Sequence, residues 1–198
     1  MVRLRFFLFP LVFNAPLAIL LLATGCAVQR HEAYAVADGR APLHLCSGVQ
    51  VSNAPPADGA RRVRSHQRVI EVRRIALLSI PTRGCLSSGF GPRRNRRPHE
   101  GVDISTRRPT PIVAAGGGRV DAVHRLGGYG LTVDIDHGRG VTTRYAHLSR
   151  IADGLREGAR IEAGDRIGLT GRSGNATGVH LHYEVRVNGR PIDPFNAR

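Results

Sequence analysis

Lysine is missing from this chain of 198 residues, so all 29 of its basic side chains are arginines. That absence closes a carrier role in which biotin or lipoate hangs from a lysine. Tryptophan is missing too, and aromatic residues make up only 5% of the sequence. A nucleic-acid partner, which a net charge of +14 would otherwise suggest, then lacks the stacking platform that single strands use. The charge is left to a solvated surface, which a GC-rich genome writes in arginine, or to an anionic polymer. Carboxylates and phosphates of such a polymer accept the guanidinium's paired hydrogen bonds. Helical periodicity is scarce as well. With 24 glycines, 12 prolines and 41% apolar residues, the composition fits one turn-rich, β-heavy domain with an extension, and hardly two domains.

Long apolar runs are confined to the start. "MVRLRFFLFPLVFNAPLAILLLATGC" sets Arg3 and Arg5 before an apolar stretch that reaches Ala23, then small residues ending at Cys26. This is the order of a secretory signal peptide. Pro10, Asn14 and Pro16 interrupt the run and weaken a permanent transmembrane helix. The ending "LATGC" resembles the bacterial lipobox, with Ala23 where leucine is more usual. That resemblance implies lipid on Cys26 and a membrane anchor. Because Ala27 rather than aspartate follows, the expected location is the periplasmic side of the cell envelope, held to the outer membrane. With Cys26 set aside, Cys46 and Cys85 form an even pair in an exported chain. A disulfide between them is expected, against the alternative of two buried thiols.

After the signal, residues 1–26, the composition divides the chain at about residue 83. Residues 27–82 have mixed polarity, a Pro55-Pro56 pair and an arginine-dense run at 61–74, and read as a tether or loose lead-in. Residues 83–198 read as the folded domain. There "LTVDIDHG" (131–138) alternates Leu131, Val133 and Ile135 with Thr132, Asp134 and Asp136, the period of a half-buried strand. Glycine-bearing turns at 137–140, Gly164-Asp165 and Asn188-Gly189 separate further short strands. The spacing predicts an all-β domain, an antiparallel β-sandwich or partly open barrel.

Histidines carry the chemistry. In "GVHLHYEV" (178–185), His180 and His182 share one face of a strand, roughly 6–7 Å apart along it, with Leu181 and Tyr183 on the other. Upstream, "PHEGVDIS" (98–105) places His99 and Asp103 four apart around Gly101, again on one face if the segment is extended. Between these blocks, "RYAHLS" (144–149) ends a strand at His147. His31, His44, His66, His124 and His137 have no such company. A catalytic zinc takes three protein ligands from such groups and keeps one position open, lowering the pKa of water toward neutrality. Three ligands from five leave two histidines for acid–base work and for stabilising an oxyanion. Spacing leaves open which three bind the metal.

The run "GFGPRR…PHEGVDIS…YAHLS…TGVHLHYEV…DP" resembles the lysostaphin/LytM family of zinc metallo-endopeptidases that act on peptidoglycan, and it covers residues 83–198. The resemblance implies the duplicated hybrid-motif β-fold of that family. It implies one zinc ion held by His99, Asp103 and His182, with His147 and His180 serving catalysis. The implied substrate is a peptidoglycan stem peptide, cut at a cross-link between D-alanine and meso-diaminopimelate. Some relatives that have lost ligands act instead as non-catalytic modules that activate a separate cell-wall amidase; no ligand is lost here. Beside the main set, Glu184 stands on the face of His182 as an outer partner or as an ordinary salt bridge, the second being the plainer expectation. Tyr145 belongs either to the face of His147 or to the core.

Overall fold

Short runs of valine, isoleucine and threonine cut by glycine turns leave the backbone its hydrogen bonds only across strands. The computed structural model describes residues 42–64, 66–93 and 96–196. The signal, Cys26 and residues 27–41 lie outside the described residues. Fifteen strands follow in order: β1 (Val69–Val72), β2 (Ile75–Leu78), β3 (Cys85–Ser88), β4 (Gly91–Arg93), β5 (Arg96–His99), β6 (Val102–Ser105), β7 (Pro111–Val113) and β8 (Gly118–Leu126). A 3-10 turn at Gly127–Tyr129 leads to β9 (Gly130–Asp136), β10 (Val141–Ala146), β11 (Arg150–Ile151), β12 (Arg160–Ile161), β13 (Arg166–Leu169), β14 (His180–Val187) and β15 (Arg190–Ile192). No α-helix occurs among the described residues.

All pairings among the fifteen strands are antiparallel. The eight-stranded sheet runs β12-β8-β9-β10-β14-β6-β3, with β15 beside β14, and it does not close on itself. A three-stranded sheet β11-β13-β7 and the hairpins β1-β2 and β4-β5 complete the fold. The all-β, open antiparallel architecture read from the sequence is the one observed. Asn188-Gly189 makes the last hairpin with φ of 50° and 74°, the left-handed pair that a two-residue turn needs.

The core shows why β14 sits at the centre. Leu181, Tyr183 and Val185 are fully buried on one face, packed with Val102, Ile104 and Tyr145. Tyr183 donates its hydroxyl to the Leu78 carbonyl at 2.9 Å, and Tyr145 accepts the Ala115 N–H at 2.8 Å. Each buried phenol therefore has a partner, as burial requires. Tyr145 belongs to the core and not to the face of His147.

One boundary needs correction. The lead-in expected up to residue 82 is not loose over its described part. Leu43, Val63, Ile70, Val72 and Leu77 are all buried in the same core, and residue 45 bridges Leu86 of β3. Cys46 and Cys85 are joined by a disulfide that fastens this segment to β3. Alternation in "RVIEVRR" is a two-sided strand signal that the surrounding arginines mask in composition.

Candidate active site

The register of two neighbouring strands builds the centre. His182 of β14 lies directly opposite Asp103 of β6, and β5 delivers His99 from the far side of a corner at Gly101. A Cβ on Gly101 would stand 2.2 Å from the Tyr183 carbonyl oxygen, so only glycine lets the corner pass this close to β14. His99 Nε2 is 3.1 Å from Asp103 Oδ1 and 3.1 Å from His182 Nδ1, and His182 Nδ1 is 2.8 Å from Asp103 Oδ1. Zinc bonds of about 2.0–2.2 Å at near-tetrahedral angles separate ligand atoms by roughly 3.3–3.6 Å. Two ring nitrogens and a carboxylate oxygen converge here at almost that spacing.

The opposite nitrogen of each ring is already committed. His99 Nδ1–H donates to the Gly89 carbonyl at 2.7 Å, with Ser88 Oγ at 3.2 Å. His182 Nε2–H donates to Glu184 Oε1 at 2.9 Å. Each ring is thereby held in the tautomer that aims a lone pair at the common point, the arrangement that metal-binding histidines use. The residues thus fit a divalent cation by donor type, spacing and orientation.

Electrostatics agree with that fit. Burial works against an anionic Asp103, but hydrogen bonds from His182 and His99 hold its carboxyl far below the usual range. Burial would lower His182, yet its bonds to Asp103 and Glu184 raise it to about 9. A cation entering between them therefore has a proton to displace. Glu184 is fully buried, and despite that burial its bonds to His182 and Arg186 bring it down to about 2. Tyr129 donates to Glu184 Oε1 at 2.8 Å and packs at a tilt against His182, with ring centroids 5.4 Å apart and planes inclined by 51°. Arg186 binds Glu184 on one side and Glu100 on the other, the latter at 2.7 Å. Arg93 of β4 reaches Ser88 Oγ at 2.7 Å and Asp103 Oδ2 at 3.4 Å.

Two further imidazoles face the centre. His147 follows the end of β10 with a left-handed φ of 62°, which breaks the strand's alternation and turns its ring toward β14. That conformation costs an ordinary residue about 1 kcal/mol or more. Here the His147 N–H donates to Tyr129 O at 2.9 Å, and Nδ1–H donates to Ser173 O at 2.8 Å. His180 Nδ1–H donates to the Gly178 carbonyl at 2.9 Å, and its Nε2 lies 3.9 Å from Asp103 Oδ1. The two rings are 4.6 Å apart between centroids. Both keep an Nε2 lone pair, so both can accept a proton. Burial depresses His147 to about 4, against the pull of the Ser173 carbonyl, so it is neutral near pH 7.

All five residues singled out in the sequence come together. Glu184 is both of the things weighed for it, an ion-pair partner of Arg186 and the acceptor for His182. Its place two residues beyond His182 on the same face is a legible signal. Tyr129, Arg93 and Ser88 were missed. Tyr129 arrives from a 3-10 turn, while Arg93 and Ser88 sit at register irregularities in β4 and β3, where no periodicity points. His66, His124 and His137 lie elsewhere: His66 is bonded to Ser79 and His137 to Gly117 and Thr143, while His124 Nε2 stands 3.6 Å from Asp134 without a hydrogen bond.

Known proteins resemble this chain in sequence and fold. The peptidoglycan DD-endopeptidase ShyA of Vibrio cholerae is 41% identical over 118 residues, 57% of this chain and 27% of that protein. This chain thus spans about a quarter of the length of that curated relative. A zinc-containing peptidase of Vibrio cholerae superposes with a TM-score of 0.57 at 33% identity, over 62% of this chain and 40% of the other. The catalytic domain of the prophage-encoded M23 protein EnpA of Enterococcus faecalis is 33% identical, with 88% of its length and 56% of this chain covered and a TM-score of 0.52. Residues 97–194, which hold all five site side chains, match peptidase family M23, and the chain belongs to that family.

Proposed function

We propose that this chain is a zinc-dependent endopeptidase that hydrolyses amide bonds in peptidoglycan cross-link peptides, with D-alanine–meso-diaminopimelate as the bond cut. The observation that carries the reading is the convergence of His99 Nε2, Asp103 Oδ1 and His182 Nδ1 within 3.1 Å of one another, beside two imidazoles that keep an open Nε2. His99, Asp103 and His182 would hold one zinc ion. Bound there, zinc supplies Lewis-acid polarisation of a carbonyl and makes hydroxide available near neutral pH. His147, neutral near pH 7, takes up a proton at Nε2, and its bond to the Ser173 carbonyl holds the ring in place as it does so. His180 shares that face; only after taking a proton at Nε2 does it give an N–H to the oxygen on which charge develops, its Nδ1–H staying on the Gly178 carbonyl. Glu184, Tyr129 and Arg186 keep His182 aligned from behind. The name of ShyA supports the wall peptide as substrate. Export with lipid on Cys26, and anchorage at the outer membrane near the wall, belong to the same reading; so does a signal ending at residue 26, with the folded part beginning by about residue 42.

The test is digestion of purified sacculi by the full chain, with and without a chelator, reading released muropeptides by mass. Chelator-sensitive loss of cross-linked dimers is expected. Unchanged sacculi from zinc-loaded protein would refute the proposal, and stimulation of a separate amidase in that case would identify an activator.

A further inference from the structure

A cleft of about 820 Å³ opens beside the disulfide, and its charge sets it apart. Arg107 and Arg108 line it together with Arg61, Arg83 and His44, and Ser105 of β6 lines it too. No carboxylate lines it. Among the described residues, no acidic group pairs with Arg107 or Arg108. Like charges gathered without counter-ions repel one another, so a surface that holds them together is suited to an anion.

The turn that presents the two arginines is built rigidly. Arg107 has a left-handed φ of 55°, sparsely populated for any residue but glycine or asparagine. The turn around it is pinned: Thr106 Oγ1 and Thr110 Oγ1 each donate to the Arg108 carbonyl at 2.9 Å. Beneath them the fully buried Thr170 meets Thr106 Oγ1 at 2.7 Å and accepts the Thr110 N–H at 2.9 Å. Arg61 donates to the Cys46 carbonyl at 2.6 Å, and the Cys46–Cys85 bond fixes that segment to β3. Strain retained in a braced turn is a mark of preorganisation.

The cleft also continues the active site. Ser105 follows Asp103 by two positions on the same face of β6, about 7 Å along the strand, and pairs with His180 across the sheet. A peptide passing His180 from the metal-binding residues would reach the arginines within roughly two residues. We propose that the cleft is a carboxylate-binding site for the free C-terminal end of a wall peptide, gripped by Arg107 and Arg108 with Arg61 lining the same cleft. Guanidinium forks match a carboxylate with two parallel hydrogen bonds. This inference rests on the wall-peptide reading given above.

Binding separates the two. The full chain is titrated with acetyl-Lys-D-Ala-D-Ala and with its C-terminal amide. The wild type should bind the acid about tenfold more tightly than the amide, a difference worth one carboxylate pair. The variant Arg107→Ala/Arg108→Ala should bind both alike, while Arg156→Ala, on a remote exposed loop, should keep the preference. On sacculi the double variant should show a raised KM with kcat unchanged. Equal binding of acid and amide by the wild type, or a preference that survives in the double variant, overturns the proposal. So does binding to phosphatidylglycerol vesicles that the double variant loses when peptide acid and amide are not distinguished, because the anion would then be a lipid phosphate. Should the wild type fail to digest sacculi while still preferring the acid, the hydrolase reading falls and the carboxylate site stands.

Discussion

Replacing Glu184 by glutamine isolates what lies behind the rings of the proposed metal site. The change keeps the shape of the side chain, but glutamine offers one acceptor oxygen where His182 Nε2–H, Tyr129 O–H and Arg186 Nε–H all point at Glu184. A carboxyl held near 2 rather than at its ordinary 4.5 is stabilised as the anion by about 3 kcal/mol in the fold. Most of that should disappear in Glu184→Gln, since the residue is fully buried and water does not replace the lost partners. In a domain of this size the loss corresponds to a fall in Tm of roughly 2–4 °C per kcal/mol. A depressed carboxyl contributes its stability above pH 4.5 and loses it as pH falls toward 2, so variant and wild type should converge in that window. Zinc affinity, measured by competition with a chromophoric chelator, should drop roughly ten- to a hundredfold with one-to-one stoichiometry retained. The exposed Glu162→Gln should change neither quantity. Wild-type zinc affinity together with wild-type Tm in Glu184→Gln would refute the role given to this carboxylate.

His182→Ala should abolish zinc uptake, whereas His147→Ala should keep zinc and lose roughly two to four orders of magnitude in rate; metal analysis beside a muropeptide assay separates the two. Normal metal content in His182→Ala would show the ligand set to be wrong. Gly101→Ala should destabilise the fold by about 1–3 kcal/mol and weaken zinc binding as well, because the new methyl would meet the Tyr183 backbone and the Cγ of the buried, hydrogen-bonded Glu184. The double variant Cys46→Ser/Cys85→Ser releases a cross-link spanning 39 residues and should lower unfolding free energy by about 2–4 kcal/mol in denaturant titration.

Much of this was legible in the residues because strand periodicity carries geometry directly. An i, i+2 pair on a strand shares a face, so His180, His182 and Glu184 could be placed together without a structure. His99 and Asp103 also meet, but across a corner at Gly101 between two strands and not along the one extended segment that their spacing suggested. Less was legible where alternation fails. His147 turns into the site only through a left-handed residue, and Tyr129 comes from a turn of three residues. The lead-in was underestimated for a different reason: its apolar positions are sparse and surrounded by arginine, and they become core only when β1 and β2 pair and cover what β14 leaves open.

A strand that carries the imidazoles of the proposed metal site on one side and a buried tyrosine on the other cannot slide. Any slip of β14 by one position would exchange Tyr183 for His182 and drive imidazole into oil and phenol into the reaction. Catalysis and architecture are therefore written in one reading frame, and neither can drift without the other. Such a scaffold loses activity by exchange of single side chains in place, after which the shell persists intact and free to take up duties that need only its shape.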